Sequence, residues 1–208
     1  MFYTATTPWW LRILFPPDLT WSFPTKEKNL YLTFDDGPTP NVTEFVLEEL
    51  KKYNAKATFF CIGNNVQQHP ALYQRLFAEG HRVGNHTYNH LNGFHTKDEL
   101  WLNNIKEAAR WIDSDLFRPP YGKIRSFPAK VLKESNPPFK IIMWSVLSAD
   151  FDTGISPQKC LDHVTKNTKP GSIIVFHDSE KAFPNLRFAL PEVLKLFSGE
   201  GYRFEVIR

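Results

Sequence analysis

Leu30-Tyr31-Leu32-Thr33-Phe34-Asp35-Asp36-Gly37-Pro38 is the stretch on which the fold turns. Five strand-forming residues run into two acids, and Gly-Pro ends the strand. A helix is expected next. Thr39-Pro40 supplies an N-cap with proline at the first helical position, and Val42, Phe45, Val46, Leu50 and Tyr53 recur at helical spacing. Residues 57–62 are again apolar and of strand length, completing one strand–helix–strand unit.

The alternation continues to the end of the chain. Strands are expected at 82–84, 116–118, 140–146, 172–176 and 202–206, and helices at 70–79, 97–112, 126–133, 157–166 and 186–197. Roughly seven β/α repeats imply an α/β fold with a parallel sheet, which crossovers of one hand close most readily into a barrel. No repeat, low-complexity tract or linker interrupts the pattern. Residues 1–208 are therefore expected to form one domain, with residues 1–28 as an N-terminal extension packed on the barrel.

Composition excludes several classes of function. The chain has 208 residues, 42% hydrophobic, and its 25 Lys+Arg against 22 Asp+Glu leave a net charge of +3. That is ordinary globular composition, with no basic cluster to suggest a nucleic-acid partner. No window approaches the ~20 apolar residues of a membrane span. Residues 1–10 lack the features of an export signal, so the compartment is left open, cytoplasmic by default. Cys61 and Cys160 lie in segments that look buried, and no disulfide framework is expected.

The polar residues carry the chemistry. Asp35-Asp36, Asn85-His86, Arg118, Asp150 and His177 each fall at or just past the C-terminal end of an expected strand, the end where catalytic groups of α/β folds collect. His86 and His90 form an i, i+4 pair, read here as a helical turn presenting both imidazoles to one ion. Such a pair alone is often just two surface histidines. Two adjacent acids change the balance, because holding them close calls for a cation or a shared proton. One Asp with two His makes a three-ligand zinc site with room for water and substrate, and leaves the second acid free to act as a base. His177 is suited to proton transfer, and Arg118 to orienting a carboxylate.

These blocks resemble the motifs of the NodB-like polysaccharide deacetylases, carbohydrate esterase family four, in that family's order. Thr33-Phe34-Asp35-Asp36-Gly37-Pro38 matches the first motif, His86-Thr87-Tyr88-Asn89-His90 is similar to H-[ST]-x-x-H, Arg118-Pro119-Pro120-Tyr121 to R-x-P-Y, and Val175 with His177 to L-x-H. The resemblance implies a distorted (β/α) barrel that hydrolyses N-acetyl groups of an N-acetylated glycan, peptidoglycan or chitin-like, as a monomer. It implies one divalent metal ion on Asp36, His86 and His90, zinc first, with cobalt, nickel or manganese as substitutes. Asp35 is then the base, oriented by Arg118, and His177 the acid, oriented by Asp150. The backbone N–H of Tyr121 is expected to help hold the oxyanion.

The fourth motif departs from D-x-x-D-W, because the chain has Leu147-Ser148-Ala149-Asp150-Phe151. Phe151 for tryptophan and Val175 for leucine reshape the wall expected around the acetyl methyl group, so the departures bear on substrate rather than on catalysis. Trp9, Trp10 and Trp21 are expected to pack under the barrel floor, too far from the opposite face to reach substrate. Asp178 is read as an ordinary loop acid. Two other readings fit part of the set: a non-haem iron site built on two His and one carboxylate, and a glycan-binding barrel without turnover.

Overall fold

The computed structural model describes residues 3–208. Its sheet contains β1 (Asn29–Asp35), β2 (Ala57–Cys61), β3 (Arg82–Asn85), β4 (Leu116–Phe117), β5 (Lys140–Ile141), β6 (Val146–Leu147), β7 (Ile173–His177) and β8 (Arg203–Phe204). The named strand pairs are all parallel. Their order is β5-β4-β3-β2-β1-β7-β6, with β8 added beside the start of β1. The two outer strands of that order, β5 and β6, are consecutive in the chain and only four residues apart. The sheet therefore curls until its edges are joined by one segment, giving the barrel the alternation pointed to, distorted as the family resemblance implied.

That segment was expected as a single strand over 140–146. It splits because its two halves pair with different neighbours: Phe117 lies opposite Ile141, and Val175 opposite Leu147. Thr20 fills part of the gap, donating to the Ile141 carbonyl at 3.0 Å and accepting from Met143 N–H at 2.7 Å.

Alternation along the strands sorts the core into an outer and an inner set. Leu30, Leu32, Phe34, Phe59, Ile174 and Phe176 are buried under the helices, as period-2 patterning requires. The helices are α1 (Trp9–Arg12), α2 (Val42–Lys52), α3 (Gly63–Gln68), α4 (Pro70–Ala78), α5 (Asp98–Ala108), α6 (Ser126–Lys133), α7 (Pro157–Thr165) and α8 (Phe183–Gly199). α2 begins two residues later than expected, where Glu44 accepts from the Asn41 N–H at 2.9 Å. Inside the barrel, Phe60, Leu116, Ile142, Ile173 and Ile207 form a separate apolar plug. Gly84 exists to admit that plug, since a Cβ there would stand 2.5 Å from the Phe60 ring.

The N-terminal extension follows the β5–β6 seam and then the start of β7, with Thr6 bridged antiparallel to Val146, Thr20 paired with Ile142 and Ser22 bridged to Ser172. Of its aromatic residues it is Phe23 that packs against the plug inside the barrel. Trp21 packs sideways against Phe15 at 5.1 Å, and Trp10 is 56% exposed. The Trp9 side chain lies outside the described residues. Among those residues no helix is long and apolar enough to cross a membrane.

Candidate active site

Parallel register brings the chemistry to one rim, because Asp35 stands level with Phe60 on one side and His177 on the other. Phe60 pairs with Gly84 and Asn85 with Phe117, so His86 and Arg118 both emerge two residues above that level. Asp35, Asp36, His86, His90, Arg118, Asp150 and His177 all gather there.

Arg118 is wholly buried. Its Nη1 donates to Asp35 Oδ1 at 2.6 Å and to Thr33 Oγ1 at 2.7 Å, while Nε and Nη2 donate to the carbonyls of Ile142 and Met143. The guanidinium lies 4.1 Å from the Phe60 ring centroid, a cation–π contact shielded from the surface. Burial pulls its pKa below the ordinary value, and Asp35 opposes that pull. With each polar edge occupied, Arg118 has one pose, and it fixes the pose of Asp35.

Asp36 projects the other way from a backbone with φ of 81°. Its Oδ1 stands 3.2 Å from His90 Nε2 and 3.7 Å from His86 Nε2. His86 Nδ1 donates to the Arg118 carbonyl at 2.8 Å, which leaves the Nε2 lone pair facing Asp36. Burial first, and then the neighbouring His90, holds His86 well below its ordinary pKa; burial also lowers His90. Both rings are thus kept neutral, the state in which imidazole is a ligand. One potential ligand atom from each of the three residues lies within 4.8 Å of the others. Asp36 Oδ1 is buried without a hydrogen-bond partner, an orphan that a cation would satisfy. The residues fit a divalent metal.

The His86–His90 segment is a loop and not the helical turn expected from its spacing. Thr87 and His90 have φ of 66° and 56°. Asn85 Oδ1 accepts from Thr87 N–H, and Asn104 Oδ1 accepts from the N–H groups of both Tyr88 and Asn89. Two asparagine side chains thus fold the loop that brings the imidazoles together.

On the far side, Asp150 grips His177 twice. One carboxylate oxygen is 2.7 Å from Nδ1, and the other accepts from the His177 N–H at 2.7 Å. Burial pulls His177 down, but Asp150, with help from Asp36 and Asp35, outweighs it and raises the pKa to about 9. Phe151 sets its ring edge-on to His177 at 5.1 Å. Val175 sits one inward position below His177 and is buried. Tyr121 has φ of 59° and is half exposed, with its ring 4.6 Å from His90.

Asp178 proves to be part of this architecture. Its N–H donates to the Asp35 carbonyl, and its carboxyl accepts from Gly37 N–H at 3.0 Å and Thr43 Oγ1 at 2.6 Å. It braces the chain on both sides of Asp36. A Cβ on Gly37 would stand 1.9 Å from its carboxyl oxygen, which explains the glycine after the two acids. Burial raises Asp178 to about 8. Its position after His177, on the opposite sense of alternation, was the available sequence signal.

Residues 23–136 match the family model described as polysaccharide deacetylase. A peptidoglycan-N-acetylglucosamine deacetylase of Bacillus cereus is 37% identical over 195 residues, which cover 91% of each chain. The peptidoglycan-N-acetylmuramic acid deacetylase PdaA of Bacillus subtilis is 32% identical over 192 residues, covering 88% of this chain and 71% of that one. Among solved structures, the Bc1960 peptidoglycan N-acetylglucosamine deacetylase aligns with a TM-score of 0.84 at 31% identity, over 97% of this chain and 95% of that one.

Proposed function

The chain belongs to the polysaccharide deacetylase family, a hydrolase family acting on amide carbon–nitrogen bonds, and from that premise we propose that it removes acetyl groups from N-acetylglucosamine residues of peptidoglycan. The relative at 37% identity is named for that sugar. One observation carries the proposal: a three-residue ligand set whose buried Asp36 oxygen has no partner lies between two carboxylate pairs, Asp35–Arg118 and Asp150–His177. The iron-oxygenase reading is set aside by family membership.

Two imidazoles and one carboxylate suit zinc. Bound there, a divalent ion supplies the positive charge that acidifies water and polarises the acetyl carbonyl. Asp35, held by Arg118, takes the water's proton. His177 carries a proton on Nε2, because Asp150 occupies Nδ1, and delivers it to the sugar nitrogen as the C–N bond breaks. The products are acetate and the free amine. The backbone N–H of Tyr121 donates to the developing oxyanion. Phe151 and Val175 bound the acetyl methyl, with less apolar volume than tryptophan and leucine provide.

Acetate release tests the proposal. Zinc-loaded protein is expected to release acetate from peptidoglycan faster than from chitin oligomers, to stop after chelation and to recover with added zinc. Release from chitin alone would contradict the substrate, and undiminished release after complete metal removal would contradict the metal site.

A further inference from the structure

The N-terminal strap was expected to stay away from the substrate face, yet its first described residue reaches that face. Ala5 accepts from the Leu147 N–H at 2.8 Å and Thr6 bridges Val146, so residues 3–6 climb antiparallel along β6. This delivers Tyr3 to the turn that carries Asp150 and Phe151. The Tyr3 ring meets the Phe151 ring edge-on at 5.6 Å and 67°, and Phe151 in turn meets His177 at 5.1 Å and 80°. Tyr3 Oη donates to Asp152 Oδ2 at 2.5 Å. Asn185 holds the same turn from beneath, donating to the carbonyls of Asp150 and Asp152.

Three rings therefore form one row, ending on the imidazole. Phe151 is bounded by His177 on one side and Tyr3 on the other. Without Tyr3, it can lean outward and widen the space beside His177. Edge-to-face contacts of this geometry favour a defined ring orientation, and the hydrogen bond to Asp152 fixes Tyr3 itself. Burial, aided by Asp152, raises the Tyr3 pKa to about 12, so the hydroxyl remains a donor.

We infer that Tyr3 is a specificity-determining positioning residue: with Phe151 it completes the wall beside His177 that limits the acyl group to acetyl. The inference rests on the proposal that Phe151 bounds the acyl methyl. It assigns the extended segment at residues 3–6 a function in substrate choice, and it explains how a phenylalanine suffices at a position where the family pattern has the larger tryptophan.

The test uses the full chain, zinc-loaded, on de-N-acetylated peptidoglycan re-acylated with either acetyl or propionyl groups. Tyr3→Ala is expected to move the acetyl-to-propionyl ratio of kcat/KM toward propionyl by about tenfold, the lower end of what one methylene is worth in an apolar pocket. Tyr3→Phe, which keeps the ring, should hold the native ratio. Adding Phe151→Trp to Tyr3→Ala should restore it, an outcome that general loosening of the strap would not produce. If Tyr3→Ala does not fold, Tyr3→Leu takes its place with the same expectation. A native ratio in the alanine or leucine variant overturns the inference. Phe151→Ala then tells the two readings apart: if it shifts the ratio, only the part assigned to Tyr3 falls, and if it does not, the acyl-wall reading of Phe151 falls as well.

Discussion

Arg118–Asp35, fully buried, and His177–Asp150, partly buried, are ion pairs on the same rim, closing at 2.6 Å and 2.7 Å, yet only the second contains a cation that can give up its proton within the ordinary pH range. Arg118 spends its remaining donors on Thr33 and two carbonyls and rests on Phe60. It is a clamp with a permanent charge. His177 is gripped on Nδ1 and on its backbone N–H by one carboxylate, leaving Nε2 for a proton. The same partner chemistry thus yields a carboxylate locked in place on one side and a titratable imidazole on the other, according to whether the cation can let its proton go.

The largest effect is expected from breaking the clamp. Arg118→Leu strands a buried carboxylate and two carbonyls, and removing one member of a buried pair costs about 3–5 kcal/mol. For a chain of this size that lowers the melting temperature by roughly 10 °C, alongside loss of activity. Arg118→Lys should not rescue it, because an ammonium cannot reproduce the planar fork. A melting temperature within about 2 °C of native in the leucine variant would contradict the clamp.

The second pair responds to pH rather than by unfolding. His177 has a folded pKa of about 9, above its ordinary 6.5. The stability it contributes is whole below about pH 6.5 and is lost as pH rises through about 9. A cation on Asp36, His86 and His90 opposes the protonated ring, so the metal-free protein is the one to titrate. There, Asp150→Asn should lower the His177 pKa by more than about one unit, since burial persists and the opposing carboxylate is gone. NMR titration of the imidazole checks this, and an unchanged pKa would assign the shift to other acids.

The smallest effect belongs to Asp178. An amide at that position still accepts from Gly37 and can donate to Thr43, so Asp178→Asn should alter stability by less than about 1 kcal/mol near pH 4, where the native carboxyl is protonated. With a folded pKa of about 8, the native acid loses stability as pH rises from about 4 through 8. The asparagine variant should lack that slope, gaining relative to the native protein across this window in denaturant titrations. Asp178→Ala, which orphans two donors, should cost more than the amide.

Local patterning carried most of this architecture. The acids after β1, the histidine after β3, Arg118 after β4 and His177 at the end of β7 were legible because strand ends and apolar runs are local features. The break in the 140–147 segment was not legible, since 141–144 is a continuous apolar run and the kink arises from pairing with β4 and then β7. The loop at His86–His90 mimicked helical spacing, but Asn85 and Asn104 shape it, the latter from α5. Tyr3 was missed for a related reason: its partner Asp152 is 149 positions away, and nothing in residues 1–10 announces which face of the barrel they reach.

The most direct test of the account is a single comparison of bound zinc and turnover between Asp35→Asn and Asp36→Asn. The first is expected to keep a full equivalent of zinc while losing about 10²–10⁴-fold in kcat, because an amide cannot accept the water's proton; the second is expected to lose zinc. Equal zinc loss in both variants, or an Asp35→Asn protein that deacetylates at the native rate, would contradict the division of labour between the two acids.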